Sequence, residues 1–206
     1  MKKLLFIALL AAGAWQLHGT WSAADGAFDA NGNPLVRVFV GPGCNKPCED
    51  LKRTIRRRGI PFDVVDVSSP EGRSHGVDTY PLTVAGDRRV AGSSTMEVVG
   101  LLAEVYGEEV LTAAERRAMR GHFDAAGNPR VVLYGTAWCG FCKRQRALFR
   151  DEGIAFVDID VEASPQGKAA YDALRGFGYP LVYVGYRRFQ GYRERDLLAA
   201  IDELVP

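Results

Sequence analysis

An internal repeat constrains this 206-residue chain more than any other feature of its sequence. Phe28-Asp-Ala-Asn-Gly-Asn-Pro34 recurs as Phe123-Asp-Ala-Ala-Gly-Asn-Pro129, an offset of 95 that also places Cys44 on Cys139. Past the cysteines the offset is 94, with Gly59-Ile60-Pro61-Phe62 on Gly153-Ile154-Ala155-Phe156 and Asp66 on Asp160. The lost residue is explained by the cysteine pairs themselves, Cys-x-x-x-Cys in the first copy and Cys-x-x-Cys in the second. Tyr80-Pro81-Leu82 then meets Tyr179-Pro180-Leu181, and Gly92 meets Gly191, at an offset of 99. Self-similarity of this kind decides the architecture before local propensity does. The sequence reads as a tandem duplication.

Both copies predict the same order of elements. Runs rich in β-branched and aromatic residues predict strands at Val36–Val40 and Val131–Tyr134. A cysteine pair follows each, then a helix, Glu49–Arg58 or Lys143–Glu152, stopped by Gly59 or Gly153. Next come strands Phe62–Val67 and Phe156–Val161, a polar helical segment, the Tyr-Pro, and strands Leu82–Ala85 and Leu181–Val184. Turns at Gly86-Asp87 and Gly185-Tyr186 lead into Arg89-Val90 and Arg188-Phe189. Amphipathic helices Thr95–Tyr106 and Glu194–Leu204 close the copies. This order predicts an α/β protein with a mixed four-stranded sheet flanked by helices in each copy. Thr112-Ala-Ala-Glu115 is a capping box that opens a linker helix. The expected divisions are a leader at 1–24, domains at 28–107 and 123–206, and a helical linker at 108–122.

Met1-Lys2-Lys3 precedes an apolar run from Leu4 to Trp15. A helix of that length covers about 18 Å, short of the ~30 Å hydrocarbon core, which suits a secretory leader. Cleavage fits after Ala24 or after Ala14. The alternative is an uncleaved anchor extended through Gln16 and Leu17, and only that alternative involves a membrane. Either way the working part is expected in an extracytoplasmic, disulfide-permissive space such as the periplasm. With 26 Lys+Arg against 25 Asp+Glu, the chain lacks the clustered positive surface of a nucleic-acid binder.

All four cysteines fall in the two close pairs, Cys44/Cys48 and Cys139/Cys142, a spacing that points to redox or metal chemistry. Cys139 lies where a strand hands over to a helix, where unpaired N–H groups stabilise a thiolate. Cys142, one turn on, can close a disulfide with it and should be the less exposed, resolving thiol. A structural disulfide or half of a zinc site competes with this reading, and a four-thiolate zinc site would need both pairs face to face. No metal is expected. His18, His75 and His122 lie near no cysteine and read as solvated or packing residues. Arg56-Arg57-Arg58 reads as a solvated charge run at a helix end. Asp66 and Asp160 read as strand-end caps rather than proton acceptors.

From about Pro129 to Val205 the second copy resembles a glutaredoxin of the thioredoxin-fold superfamily. The residues that carry the likeness are Val131–Tyr134, Trp138-Cys139-Gly140-Phe141-Cys142, Tyr179-Pro180-Leu181 and Gly191-Tyr192-Arg193. The resemblance implies two tandem thioredoxin-fold domains and thiol–disulfide exchange through Cys139 and Cys142; the rival is a non-catalytic tandem thioredoxin-like binding module with structural disulfides. It also implies a cis-proline, Pro180, whose neighbouring backbone pairs with the substrate, so that Tyr179 and Pro180 line the groove. Client protein disulfides or thiols and a redox partner are the implied partners. Glutaredoxins usually carry Thr-Val before this proline and a Gly-Gly-Asp segment later, both used to bind glutathione. Here Gly178-Tyr179 and Gly191-Tyr192-Arg193 stand instead, the latter more similar to the glutaredoxin-like hydrogen donors of ribonucleotide reductase. These departures weigh against glutathione, and no bound cofactor is implied. The first copy resembles the family less closely, since Gly43 replaces Trp138. Cys44 and Cys48 share one helical face and could form a second redox pair, with Tyr80 and Pro81 at the groove position. A relay of electrons and a degenerate docking domain with a structural disulfide are equally open for it.

Overall fold

The structure is a computed structural model and describes residues 26–205. The expected leader and the alternative anchor lie outside the described residues, as does His18.

Two four-stranded sheets form, and their orders are identical. In the first, β1 (Val36–Val40) pairs in parallel with β2 (Asp63–Asp66) and antiparallel with β3 (Leu82–Ala85), which pairs with β4 (Arg88–Ala91). In the second, β5 (Val131–Gly135) takes the centre beside β6 (Phe156–Asp160) and β7 (Leu181–Val184), with β8 (Arg187–Gln190) at the edge. Helices α1 (Asn45–Arg57), α2 (Pro70–Ser74) and α3 (Thr95–Tyr106) flank the first sheet. After α4 (Ala113–Met119), the second sheet has α5 (Gly140–Asp151), α6 (Pro165–Ala173) and α7 (Glu194–Leu204). These are two mixed sheets flanked by helices, the thioredoxin-like arrangement that the resemblance implies. Because α6 is four residues longer than α2, the repeat offset grows from 95 at Ser69/Ser164 to 99 at the Tyr-Pro.

The repeated Phe-Asp-x-x-Gly-Asn-Pro motif is structural. In each copy one aspartate oxygen accepts two backbone N–H bonds, Asp29 from Asn31 and Asn33, Asp124 from Ala126 and Asn128, all at 2.8 Å. Gly32 and Gly127 supply the positive φ (81° and 87°) that closes the loop. Phe28 then bridges to Pro34 and Phe123 to Pro129 just ahead of β1 and β5.

Three expectations are corrected. Helices α1 and α5 begin at Asn45 and Gly140, earlier than Glu49 and Lys143, because Cys44 and Cys139 themselves occupy the N-cap positions. Arg58 is not solvated: it forms a buried pair with Glu115, at 2.5 and 2.8 Å, and donates to the Val110 carbonyl. The capping box at Thr112 forms as expected, so Glu115 serves both the cap and the ion pair.

The third correction concerns α3, which is not amphipathic. Its residues Met96 and Val98–Ala103 are all buried. One side packs with Val36, Val38, Leu51 and Ile55 of the first unit, and the same cluster runs on to Val132, Tyr134, Leu181 and Tyr183 of the second. Gly100 makes this approach feasible, since a Cβ there would lie 2.3 Å from the Tyr186 carbonyl oxygen. At the rim of the seam, Arg88 and its repeat-mate Arg187 each pair with both Glu104 and its repeat-mate Glu203, at 2.5 to 3.4 Å. Burial pushes the Glu104 carboxyl up to about 7; Arg88 opposes this, and Glu203 and Asp87 add to it.

The candidate dithiol site and its family

Strand β5 ends at Gly135, and the chain turns through Thr136-Ala137-Trp138 to place Cys139 at the N-cap of α5. A serine or aspartate would ordinarily accept a backbone N–H there. Here the sulfur does so: the Cys142 N–H donates to Cys139 Sγ at 3.1 Å. Cys142 is fully buried, and both cysteines are free thiols. Burial, followed by its hydrogen bond to Cys139, pushes the Cys142 thiol up to about 12, against the opposing pull of the Thr136 backbone and of Arg146. The two sulfurs are therefore unequal.

The surroundings of Cys142 are specific to this copy. Gly135 leaves room for the sulfur, because a Cβ there would lie 2.9 Å from Cys142 Sγ and 3.4 Å from Arg146 Nη2. Arg146 forks onto Asp158 at 2.7 and 3.0 Å and donates to the Thr136 carbonyl. Gln145 is buried with both amide atoms unpaired, and the buried Thr136 hydroxyl is likewise unpaired. In the repeat register Gln145 falls on Leu51, Asp158 on Val64 and Thr136 on Gly41. Sequence reasoning passed over Gln145; its alignment with an apolar residue was the signal that could have found it.

Both Tyr-Pro bonds, Tyr80–Pro81 and Tyr179–Pro180, are cis. The Tyr179 ring packs on Tyr171 at 5.2 Å and meets Trp138 edge-on at 6.1 Å, which brings the Tyr179-Pro180 segment to the residue preceding Cys139. Trp138 donates its indole N–H to Glu162 at 2.9 to 3.0 Å. The loop before Tyr179 is held from beneath by the buried Arg188, which donates to the carbonyls of Leu174 and Arg175 and to Gln190. Arg175 takes a positive φ of 52° where the first copy has Gly76 at 60°.

The first site is built differently. Cys44 and Cys48 form a disulfide with a Cα–Cα distance of 5.5 Å. The Tyr80 ring packs against Gly41, so closely that a Cβ there would come within 2.6 Å of it. Asp66 and Asp160 act as strand-end caps, accepting from Ser68 N–H and from Glu162 and Ala163 N–H. His75 and His122 are packing residues: His75 meets Phe39 edge-on, while His122 is buried between the Gly185 carbonyl and the Tyr134 hydroxyl. An apolar cavity of about 540 Å³ between α4 and α6, with His122 and Tyr134 in its lining, contains none of the cysteines.

The glutaredoxin family model matches residues 131–189, the part of the chain that carries the dithiol. A glutaredoxin of Pseudomonas aeruginosa is 33% identical over 58 residues, 28% of this chain and 69% of that protein. The chain belongs to the glutaredoxin family. Among solved structures, the Archaeoglobus fulgidus glutaredoxin is 26% identical, with a TM-score of 0.32 over 35% of this chain and 85% of its own. A buckwheat glutaredoxin–glutathione complex is 21% identical, with a TM-score of 0.35 over 44% of this chain and 92% of its own. For this glutaredoxin-family chain, membership brings thiol–disulfide oxidoreductase chemistry at the general level.

Proposed function

We propose that the protein exchanges disulfides through Cys139 as nucleophile and Cys142 as resolving thiol, in an extracytoplasmic space. The observation that carries this is the asymmetry of the pair. Cys139 Sγ receives a backbone N–H at a helix start, while burial keeps a proton on Cys142. A thiolate at Cys139 attacks one sulfur of a substrate disulfide, and the other sulfur departs as a thiol after taking up a proton. Cys142 then loses its proton, attacks Cys139 Sγ and releases the substrate thiol, leaving a Cys139–Cys142 disulfide. The reverse sequence oxidises a substrate dithiol. Which direction prevails is a matter of potential, about 30 mV corresponding to ~1.4 kcal/mol. Tyr179 and Pro180 form the substrate-binding edge beside Trp138. The departures at Gly178-Tyr179 and Gly191-Tyr192-Arg193 support exchange that does not depend on glutathione. The extracytoplasmic placement rests on the basic start and apolar run of the leader.

The test is a pair of variants. Cys142→Ser should trap mixed disulfides with substrate, and Cys139→Ser should abolish dithiol exchange. Full turnover by Cys139→Ser would refute the assignment of the nucleophile. For the first unit we propose a structural disulfide in a docking domain rather than a relay, a reading supported by the Tyr80 ring set on Gly41 beside it. A reduction potential for Cys44–Cys48 below about −300 mV supports this, and one within the about −120 to −270 mV range of known exchangers restores the relay.

A further inference from the structure

Three large apolar side chains stand in water on the turn that carries Cys139 and on the loop that leads into the cis-proline. Trp138 is 65% exposed, Phe141 58% and Phe177 81%. Trp138 and Phe141 flank the cysteine in sequence, and Phe177 projects from the loop that leads into Tyr179-Pro180. The fold does not require them. The first unit builds the same sheet order, a helix from the same position and the same cis Tyr-Pro with Gly43, Lys46 and Asp78 in the equivalent places. Scattered exposed apolar residues need no explanation, but three on the cysteine turn and the cis-proline loop of one site mark a contact surface.

The charge around this surface is net positive. Lys143, Arg144, Arg175 and Arg193 are exposed, and none has a carboxylate partner among the described ion pairs. Glu162 and Glu194 lie on the same face, accepting from the Trp138 indole and the Tyr192 hydroxyl, and the four cations outnumber them. Arg144 lies over the Tyr192 ring at 5.2 Å, which ties the cationic rim to the same face. The Arg188 guanidinium sits 5.7 Å from the Phe177 ring, so that ring is presented on a fixed loop.

We infer that the substrate disulfide is carried by an extended polypeptide with apolar residues next to its cysteine and acidic residues beyond them. This names the substrate of the exchange proposed above and rests on that reading. In one turnover the Cys139–Cys142 dithiol is oxidised and the polypeptide disulfide reduced, its two sulfurs taking up the two protons, so the balance closes without another reductant.

The experiment is single-turnover oxidation of the reduced full-length protein, quenched and alkylated to count Cys139 and Cys142 thiols. The oxidants are three peptides of equal length, each closed by a disulfide: apolar with acidic flanks, apolar with basic flanks, and Ser/Gly-rich with acidic flanks. Glutathione disulfide is the fourth. The apolar acidic peptide should react at least about 10-fold faster than either other peptide, as a few desolvated aromatic contacts and ion pairs allow. In Phe141→Lys/Phe177→Asp, which installs first-unit residues at two exposed positions, the apolar-to-polar rate ratio should collapse toward one. Equal rates for the peptides, or glutathione disulfide outpacing them all, would overturn the inference while leaving exchange standing. Failure to react with any of the four would overturn the exchange reading itself, and this inference with it.

Discussion

Glu115→Gln isolates one charge at the joint between the first unit and the linker. The amide can still accept the Thr112 N–H as the third residue of α4, so the cap survives. The Arg58 guanidinium keeps the Val110 carbonyl but loses its one carboxylate partner among the described residues, at a site where its side chain is 9% exposed and that of Glu115 4%. Removing one member of a buried pair costs about 3–5 kcal/mol, because the partner charge is left without compensation. The retained amide acceptor argues for the lower end, about 3 kcal/mol. With a urea m-value of about 2 kcal/mol/M, the midpoint should fall by about 1.5 M with m unchanged. Adding Arg58→Met should recover much of the loss, since the stranded charge then disappears. Acid sensitivity gives a second readout. Burial pushes the Glu115 carboxyl up, but its bonds from Arg58 and Thr112 outweigh that and hold it below the ordinary carboxylate value. Its contribution is therefore present above the unfolded value of about 4.3 and is lost as pH falls through the folded one. Glu115→Gln should lack that part of the acid loss. A midpoint shift below about 0.5 M would refute the argument that this pair is buried and coupled.

Gln145→Leu, which restores the residue that the repeat carries at Leu51, should raise stability by about 1–3 kcal/mol by removing an unpaired buried amide; a lower melting temperature would count against it. Gly135→Ala should destabilise by about 1–3 kcal/mol and speed alkylation of Cys142, since the new methyl group displaces its sulfur; unchanged melting and alkylation would contradict the contact. Burial lowers the His122 pKa to about 4, so His122 makes stability rise with pH between about 4 and 6.5, whereas Glu104, raised to about 7, makes it fall between about 4.5 and 7. Urea midpoints should thus be nearly flat with pH in their overlap, rising with pH in Glu104→Gln and falling in His122→Leu; parallel profiles for all three proteins would defeat the pairing of opposed titrations.

Strands β1, β3 and β7 and helices α3 and α7 were legible to the residue, because β-branched runs, turn glycines and the repeat all agreed there. The starts of α1 and α5 were not, since cysteine is no ordinary cap and gives no signal of one. The cysteine pairs and the Tyr-Pro segments were visible as motifs, but what distinguishes the two sites depends on tertiary contact. Nothing in Arg56-Arg57-Arg58 says that the last of the three reaches Glu115, 57 residues away. Nor does Phe177 announce itself as exposed, because an aromatic beside a strand is ordinarily core. The repeat itself held more than a fold: positions where one copy is apolar and the other polar, such as Leu51 and Gln145, trace where the copies diverged in chemistry.

Helix α3 belongs to two cores at once. A fragment ending after Tyr106 would present Leu102 and its neighbours to water, and one beginning near Phe123 would leave Val132, Tyr134 and Tyr183 uncovered. Heating or denaturant should therefore melt the chain in one transition rather than two, and either half expressed alone should be less stable than it is in the whole chain. Substitutions along α3 are felt twice, which leaves that helix the least free part of the first copy to drift, while its cysteine loop stays open to change.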